Sequence, residues 1–239
     1  MKLKVMNFMH TLPEDMRLVT AQMDALVAAS SSLLGCEGLK KVFEVILTFG
    51  NYMNSGRRGP VYGFKIQSLD LLLNTRSTDR KMTLLQYIVQ LMRERFPEHA
   101  DFCDEVLYLK KAGLVSLDQL GTDVRVMAET FQLAVGELVK DQDNIQLRDF
   151  VIATEEKIND LKGRFQMAED TYHRVVRFYG EDPKMAQPGQ FFNEFSRFIA
   201  AYKKAEMEIA AQRHRAELAK KEAARKACLL YTSPSPRDS

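Results

Sequence analysis

From Phe150 to Tyr179 the chain places Phe150, Thr154, Ile158, Leu161, Phe165, Ala168, Tyr172, Val175 and Tyr179 at alternating steps of four and three residues. That spacing predicts an α-helix burying a narrow stripe against another helix, as in a coiled coil. At 1.5 Å per residue such a helix is about 50 Å long. Gly180 and Pro183 end it. A matching seam precedes it: Leu117, Leu120, Val124, Met127, Phe131, Ala134 and Leu138, with Ser116 as a candidate cap. The polar turn Asp141 to Asn144 joins the two. Long helices joined by a short turn pack antiparallel, so the expected pair is Ser116–Lys140 against Gln146–Tyr179.

The remaining segments are helical too. Val5, Phe8, Met9 and Leu12 lie at helical spacing, and Pro13 is expected to end that segment. A second runs from Glu14 to Leu34. Leu39, Val42, Phe43, Ile46 and Leu47 form one stripe over Glu37 to Phe49, with Gly50 and Asn51 suited to leave the helix. Ile66, Leu69, Leu72 and Leu73 start a short helix. Met82 to Phe96 is another, stopping at Pro97, and Asp101 to Lys111 a further one. Phe191, Phe195, Phe198, Ile199 and Tyr202 give Gln190 to Glu208 its apolar face. No strand pattern or fixed-period repeat appears. The fold class is all-α: an elongated helical bundle with long antiparallel coiled-coil-like helices.

The 239 residues carry a net charge of +2, which supplies no broad field for nucleic acid or an anionic membrane. No membrane span is expected, because no apolar run approaches the roughly 18 residues a span needs. The start lacks the apolar stretch of a signal peptide. Cys36, Cys103 and Cys228 are scattered and odd in number, which fits buried or idle thiols in a reducing, cytoplasmic compartment. His10, His99, His173 and His214 fall on different elements without the spacing of a metal site. No catalytic, metal-binding or cofactor-binding residue is assigned and no cofactor is expected. The adjacent Glu155 and Glu156 point to different sides of a helix, no nucleophile stands beside a base, and the glycines near residue 56 lack phosphate-loop spacing.

The segment Asn51 to Lys65 is the informative one. Gly56, Gly59 and Gly63 allow tight backbone. Tyr52, Tyr62 and Phe64 bring more apolar area than a short loop can bury, and Arg57, Arg58 and Lys65 bring positive charge. Two readings stand on this composition. The loop is an ordinary connection whose aromatics tuck into their own core, or it is a partner-binding surface, where aromatics and arginine are the usual anchors.

Gly50-Asn51-Tyr52-Met53-Asn54, Arg58-Gly59, Tyr62-Gly63-Phe64-Lys65 and Leu69 resemble the signature of the formin-homology-2 domain. Asp79-Arg80-Lys81, Thr83-Leu84-Leu85, Phe178-Tyr179-Gly180-Glu181 and the helix from Phe191-Phe192 match it as well. The resemblance covers roughly residues 1–210, and its wording around Leu69–Leu73 and Ser77–Lys81 is most similar to the formin-like, Rho-regulated subfamily. It implies a ring-shaped, domain-swapped homodimer that nucleates and elongates actin filaments at the barbed end. An N-terminal lasso of one subunit wraps the post of the other. Gly50, Asn51, Tyr52, Met53, Asn54, Gly56, Arg58, Gly59, Gly63 and Phe64 are then expected in the lasso–post interface, and Lys65 in contact with actin. A Rho-family GTPase and profilin are the partners implied for regions outside this sequence, and no nucleic acid is expected. The family's lasso tryptophans and an actin-binding isoleucine of its knob have no counterpart here, which leads to the expectation of a truncated domain, not competent alone. A structural coiled-coil scaffold without direct actin contact is the alternative. The expected organisation is 1–208 partial domain, 209–227 charged helical extension, and 228–239 a disordered, artefactual tail, given the abrupt shift in composition and Pro234 and Pro236.

Overall fold

A computed structural model describes residues 2–54, 59, 61–77 and 82–231; the side chains of 73 and 227–231 lie outside that description. Eight α-helices occur among them: α1 Lys2–Gly35, α2 Glu37–Asn54, α3 Leu69–Asn74, α4 Leu84–Arg95, α5 Leu109–Ala112, α6 Leu117–Lys140, α7 Ile145–Phe178 and α8 Pro188–Tyr231. No strand occurs among the described residues, only an isolated bridge between Arg76 and Thr83.

The antiparallel pair is present as α6 and α7. Ser116 Oγ accepts from the Gln119 amide, and Asn144 Oδ1 accepts from the Leu147 amide, capping the two starts. The seam of α7 packs as expected, with Thr154, Ile158, Leu161, Ala168, Tyr172 and Val175 buried. Leu147, Val151 and Val176 are buried as well, a stripe wider than one neighbour requires. The cause is α1, which lies along α7 in the same direction. Phe8 meets Phe150 edge-on at 6.0 Å, Asp24 holds Arg164 at 2.7 Å, and the Tyr179 hydroxyl donates to the Leu33 carbonyl at 2.9 Å. The core of this half is therefore a three-helix bundle.

Three element expectations are corrected. Pro13 does not end a helix; α1 runs through it as one 34-residue helix. The ring forfeits one amide donor, but the apolar stripes on both sides of it bury into the same core. Gly50 and Asn51 do not leave α2 either, which continues to Asn54. The expected helix Asp101 to Lys111 is broken into a 3-10 turn at Phe102–Asp104 and the short α5, with Tyr108 left-handed at φ 63° between them. Packing overrides periodicity there: Phe102 and Cys103 are buried, and Phe102 approaches α2 so closely that a Cβ at Gly38 would fall 2.4 Å from its own Cβ.

By length and composition α1 also meets the measure of a membrane-crossing helix, with an 18-residue window of mean hydropathy 1.2. That differs from the expectation of no such stretch. Its apolar residues Val19, Met23, Leu26 and Leu33 instead belong to the bundle core.

The second half is organised by α8. Phe191, Phe192, Phe195, Phe198 and Tyr202 are buried among α2, α4, α5 and the end of α7. Lys203 with Asp104, Arg93 with Glu206, and Gln86 with Glu208, each within 2.7 Å, staple its flank. Ile209 is the last of the buried core residues, and Ala210 to Lys226 are exposed on every side. The helix continues to Tyr231, past the compositional break at Cys228.

Candidate partner-binding surface

The informative loop stands on an aromatic base. Phe43, on α2, meets Phe64 at 5.5 Å, Tyr179 at 5.9 Å, Phe198 at 5.7 Å and Phe195 at 6.2 Å. Phe64 thereby ties this end of the loop to the core. The loop's other end is tied by Asn51. Its Nδ2 donates to the Val61 carbonyl at 2.9 Å, and its Oδ1 accepts from the Val61 amide at 2.9 Å. One side chain thereby satisfies both backbone groups of a residue ten positions away, as a strand neighbour would.

The aromatics between these anchors point elsewhere. Tyr62 is 94% exposed, Tyr52 78%, and Met53 and Val61 about half. Asn54 is exposed on the last turn of α2. A Cβ at Gly50, Gly59 or Gly63 would meet nothing within 4 Å, and none has positive φ. The chain's own packing does not require glycine at these positions. Gly56 and Arg58, also expected in this surface, lie outside the described residues. Lys65 is exposed at the start of the 3-10 turn Ile66–Ser68, where its carbonyl accepts from the Ser68 amide at 2.8 Å. Its ammonium group makes no hydrogen bond or ion pair among the described residues, unlike Arg197, which holds Asp70 and Glu194.

Beside Lys65 opens a cleft of about 250 Å³ between the 3-10 turn, residues 181–186 and the start of α8. Ile66, Met185 and Phe191 line its apolar part, and Glu181, Asp182 and Glu194 its acidic rim. The sequence offered one signal for it. Gly180 takes a φ of +77°, and the Glu181 and Gly180 amides donate back to the carbonyls of Val176 and Arg177. This Schellman closure turns the chain away from α7 and sets the cleft's wall. Its other wall is too distant in sequence to be inferred.

Among the described residues of this loop surface there is no cysteine, histidine or carboxylate cluster. The two described thiols are buried elsewhere, and burial pushes Cys36 up to about 11 and Cys103 up to about 12. Among the described residues no group of His, Cys, Asp and Glu side chains is placed to hold a metal ion.

The sequence profile of the Formin Homology 2 Domain family matches residues 1–203. Formin-like protein 1 from Homo sapiens is 41% identical over 208 residues, 87% of this chain and 19% of that protein. Formin-like protein 3 from Homo sapiens is 43% identical over 213 residues, 89% of the chain and 21% of that protein. Disheveled-associated activator of morphogenesis 2 from Gallus gallus is 28% identical over 218 residues, 87% of the chain and 20% of that protein. The chain spans about a fifth of the length of these relatives.

Proposed function

The chain belongs to the Formin Homology 2 Domain family, and from that membership we propose that it is the post and coiled-coil part of an actin-filament nucleating and elongating domain. The observation that carries this reading is the exposed face formed by the described residues at the two ends of the loop. Asn51 and Phe64 hold its two ends, while Tyr52, Met53, Val61 and Tyr62 stay exposed. Exposed aromatic area on a fixed frame is the usual makeup of a protein interface, because little entropy is lost when it is covered.

Within this reading the face of Gly50, Asn51, Tyr52, Met53, Asn54, Gly59 and Gly63 receives the lasso of a second subunit. Glycines that the fold itself does not need leave room for that backbone to approach. Phe64 supports the face from beneath. Gly56 and Arg58 belong to the same interface. Lys65, beside it, contacts actin through its exposed ammonium group. The activity holds actin subunits at the barbed end and breaks no covalent bond. The setting is the cytoplasmic actin cytoskeleton, with a Rho-family GTPase and profilin engaged by other parts of the protein.

Pyrene-actin assembly, seeded to read elongation and unseeded to read nucleation, tests the reading, using the native full-length protein and its Lys65→Asp variant. Reversing a charge that is paired across an interface costs about 2–5 kcal/mol when the pair is desolvated and far less at a wet rim. At least a tenfold weaker grip on filament ends is expected, on the order of 1.4 kcal/mol, with an unchanged melting temperature. Equal activity of the two proteins would remove Lys65 from the actin contact. If the native protein leaves elongation and nucleation unaltered, the function itself fails.

A further inference from the structure

Away from that face, α6, α7 and the loop before α8 enclose a second cleft of about 580 Å³, within the size range of ligand and peptide sites. Its apolar lining is Leu117, Phe165, Pro183 and Pro188. Gly121 is what admits the Phe165 ring, since a Cβ there would stand 2.9 Å from the ring's Cζ. The loop wall is fixed before any ligand arrives. The Asp182 carbonyl accepts from the Met185 and Ala186 amides at 3.0 and 2.9 Å, and the buried Tyr172 hydroxyl donates to the Ala186 carbonyl at 3.0 Å.

The rim supplies the chemistry. Arg125, Arg177 and Lys184 are exposed there, and their side chains make no hydrogen bond or ion pair among the described residues. His173 also lines the cleft, with the carboxylates of Asp118 and Glu169. Glu169 is engaged with the Gln166 amide at 3.3 Å, and Asp118 occupies the first turn of α6, where the helix dipole favours it. Three cations without a partner among the described residues therefore surround a preformed cleft of mixed polar and apolar lining, with Phe165 in its apolar part.

We infer that this cleft binds an acidic, extended peptide segment of another protein. One apolar side chain of the peptide seats beside Phe165, and its carboxylates meet Arg125, Arg177 and Lys184. Charge-assisted pairs with arginine add geometric selectivity to the apolar anchor. The inference stands independently of the actin reading, because it uses no residue of the exposed loop face.

The test is fluorescence anisotropy on the full 239-residue chain, with fluorescein-labelled Asp-Glu-Asp-Phe-Asp-Glu as the probe. Saturable binding is expected, weakening as salt rises. An Arg125→Glu/Arg177→Glu variant should raise Kd about tenfold or more. A Lys220→Glu/Lys221→Glu variant on the exposed end of α8 should leave Kd unchanged. Replacing the peptide's Phe by Ala, or its acids by Lys, should abolish binding. Lys184→Glu gives the same readout from a loop position if the double variant melts early. Absence of saturable binding overturns the inference. So does equal affinity in the rim variants, equal binding of the Ala or Lys peptide, or a loss that follows the α8 variant.

Discussion

Gly180 closes α7 at a φ of +77°, a backbone region that costs an L-residue roughly 1–2 kcal/mol. No atom lies within 4 Å of where its Cβ would stand, so conformation alone opposes a larger residue. Gly180→Ala should lower stability by about 1–2 kcal/mol, seen as a lower urea midpoint with an unchanged slope. A decrease below about 0.3 kcal/mol would mean the turn relaxes out of the left-handed region. The buried thiols make a second prediction at this scale. Burial raises Cys36 to about 11 and Cys103 to about 12, while an unfolded thiol titrates near 8.5. Between those values the unfolded chain has released protons that the folded chain keeps, so the thiol contribution is intact below about pH 8.5 and is lost as pH rises toward 12. Burial raises Tyr172, Tyr179 and Tyr202 as well, so the wild type alone does not isolate the cysteines. A Cys103→Ala variant does. Its urea midpoint should start lower at pH 8 but decline less steeply up to pH 11, whereas parallel curves would show that this thiol titrates alike in both states.

Among the elements, α1 shows most clearly how packing overrules a local rule. A proline inside a helix is about 3 kcal/mol less favourable than alanine, and Pro13 is exposed, so its replacement sacrifices little packing. Pro13→Ala should therefore stabilise the chain, by up to about 3 kcal/mol in urea unfolding. No gain would indicate that the helix parts at residue 13 in solution. The same element marks what could and could not be foreseen. The seam of α7 was legible because a repeat sustained over eight turns has one structural meaning; α6 carried a matching seam of its own, and the antiparallel pairing followed from the short turn between them. The long third helix was not legible, because Pro13 read locally is a stop signal and the compensating burial comes from α5, α6 and α7, all far along the chain. Phe102 and Cys103 broke their expected helix for a similar reason, being drawn onto α2. At the candidate surface, Tyr52 and Tyr62 could be flagged from composition, since the loop offers too few neighbours to bury them. The Asn51 clasp on Val61 and the cleft beside Lys65 could not, because both are products of chain reversal.

For the whole molecule the decisive asymmetry lies along α8, a 44-residue helix whose two halves have different physics. Up to Ile209 it is the spine of the aromatic core, and from Ala210 to Lys226 every residue is exposed. The exposed stretch carries six basic and two acidic side chains, a net +4 in a chain whose total is +2. The rest of the molecule is therefore slightly acidic, and the positive excess is concentrated on a projecting rod. The exposed pair Arg213 with Glu94 at 3.3 Å ties it to the core, a type of interaction worth under about 1 kcal/mol. Ala, Glu, Lys and Arg, the best helix formers, dominate it, so it holds its shape by propensity and by continuing a helix already nucleated. A chain ending at Ile209 should accordingly melt within about 4 °C of the full chain, since 1 kcal/mol shifts a domain of this size by roughly 2–4 °C. It should also lack a non-cooperative component of the helical circular dichroism signal that fades before the main transition. A chain ending at Glu194 lacks Phe195, Phe198 and Tyr202 and should not fold, because each buried aromatic removed costs about 3–5 kcal/mol against a total of about 5–15. The comparison of the two truncations fixes where the core ends. A fall of more than about 10 °C on removing residues after Ile209 would show that the basic rod is packed in solution, and the division of α8 into a structural and a projecting half would be wrong.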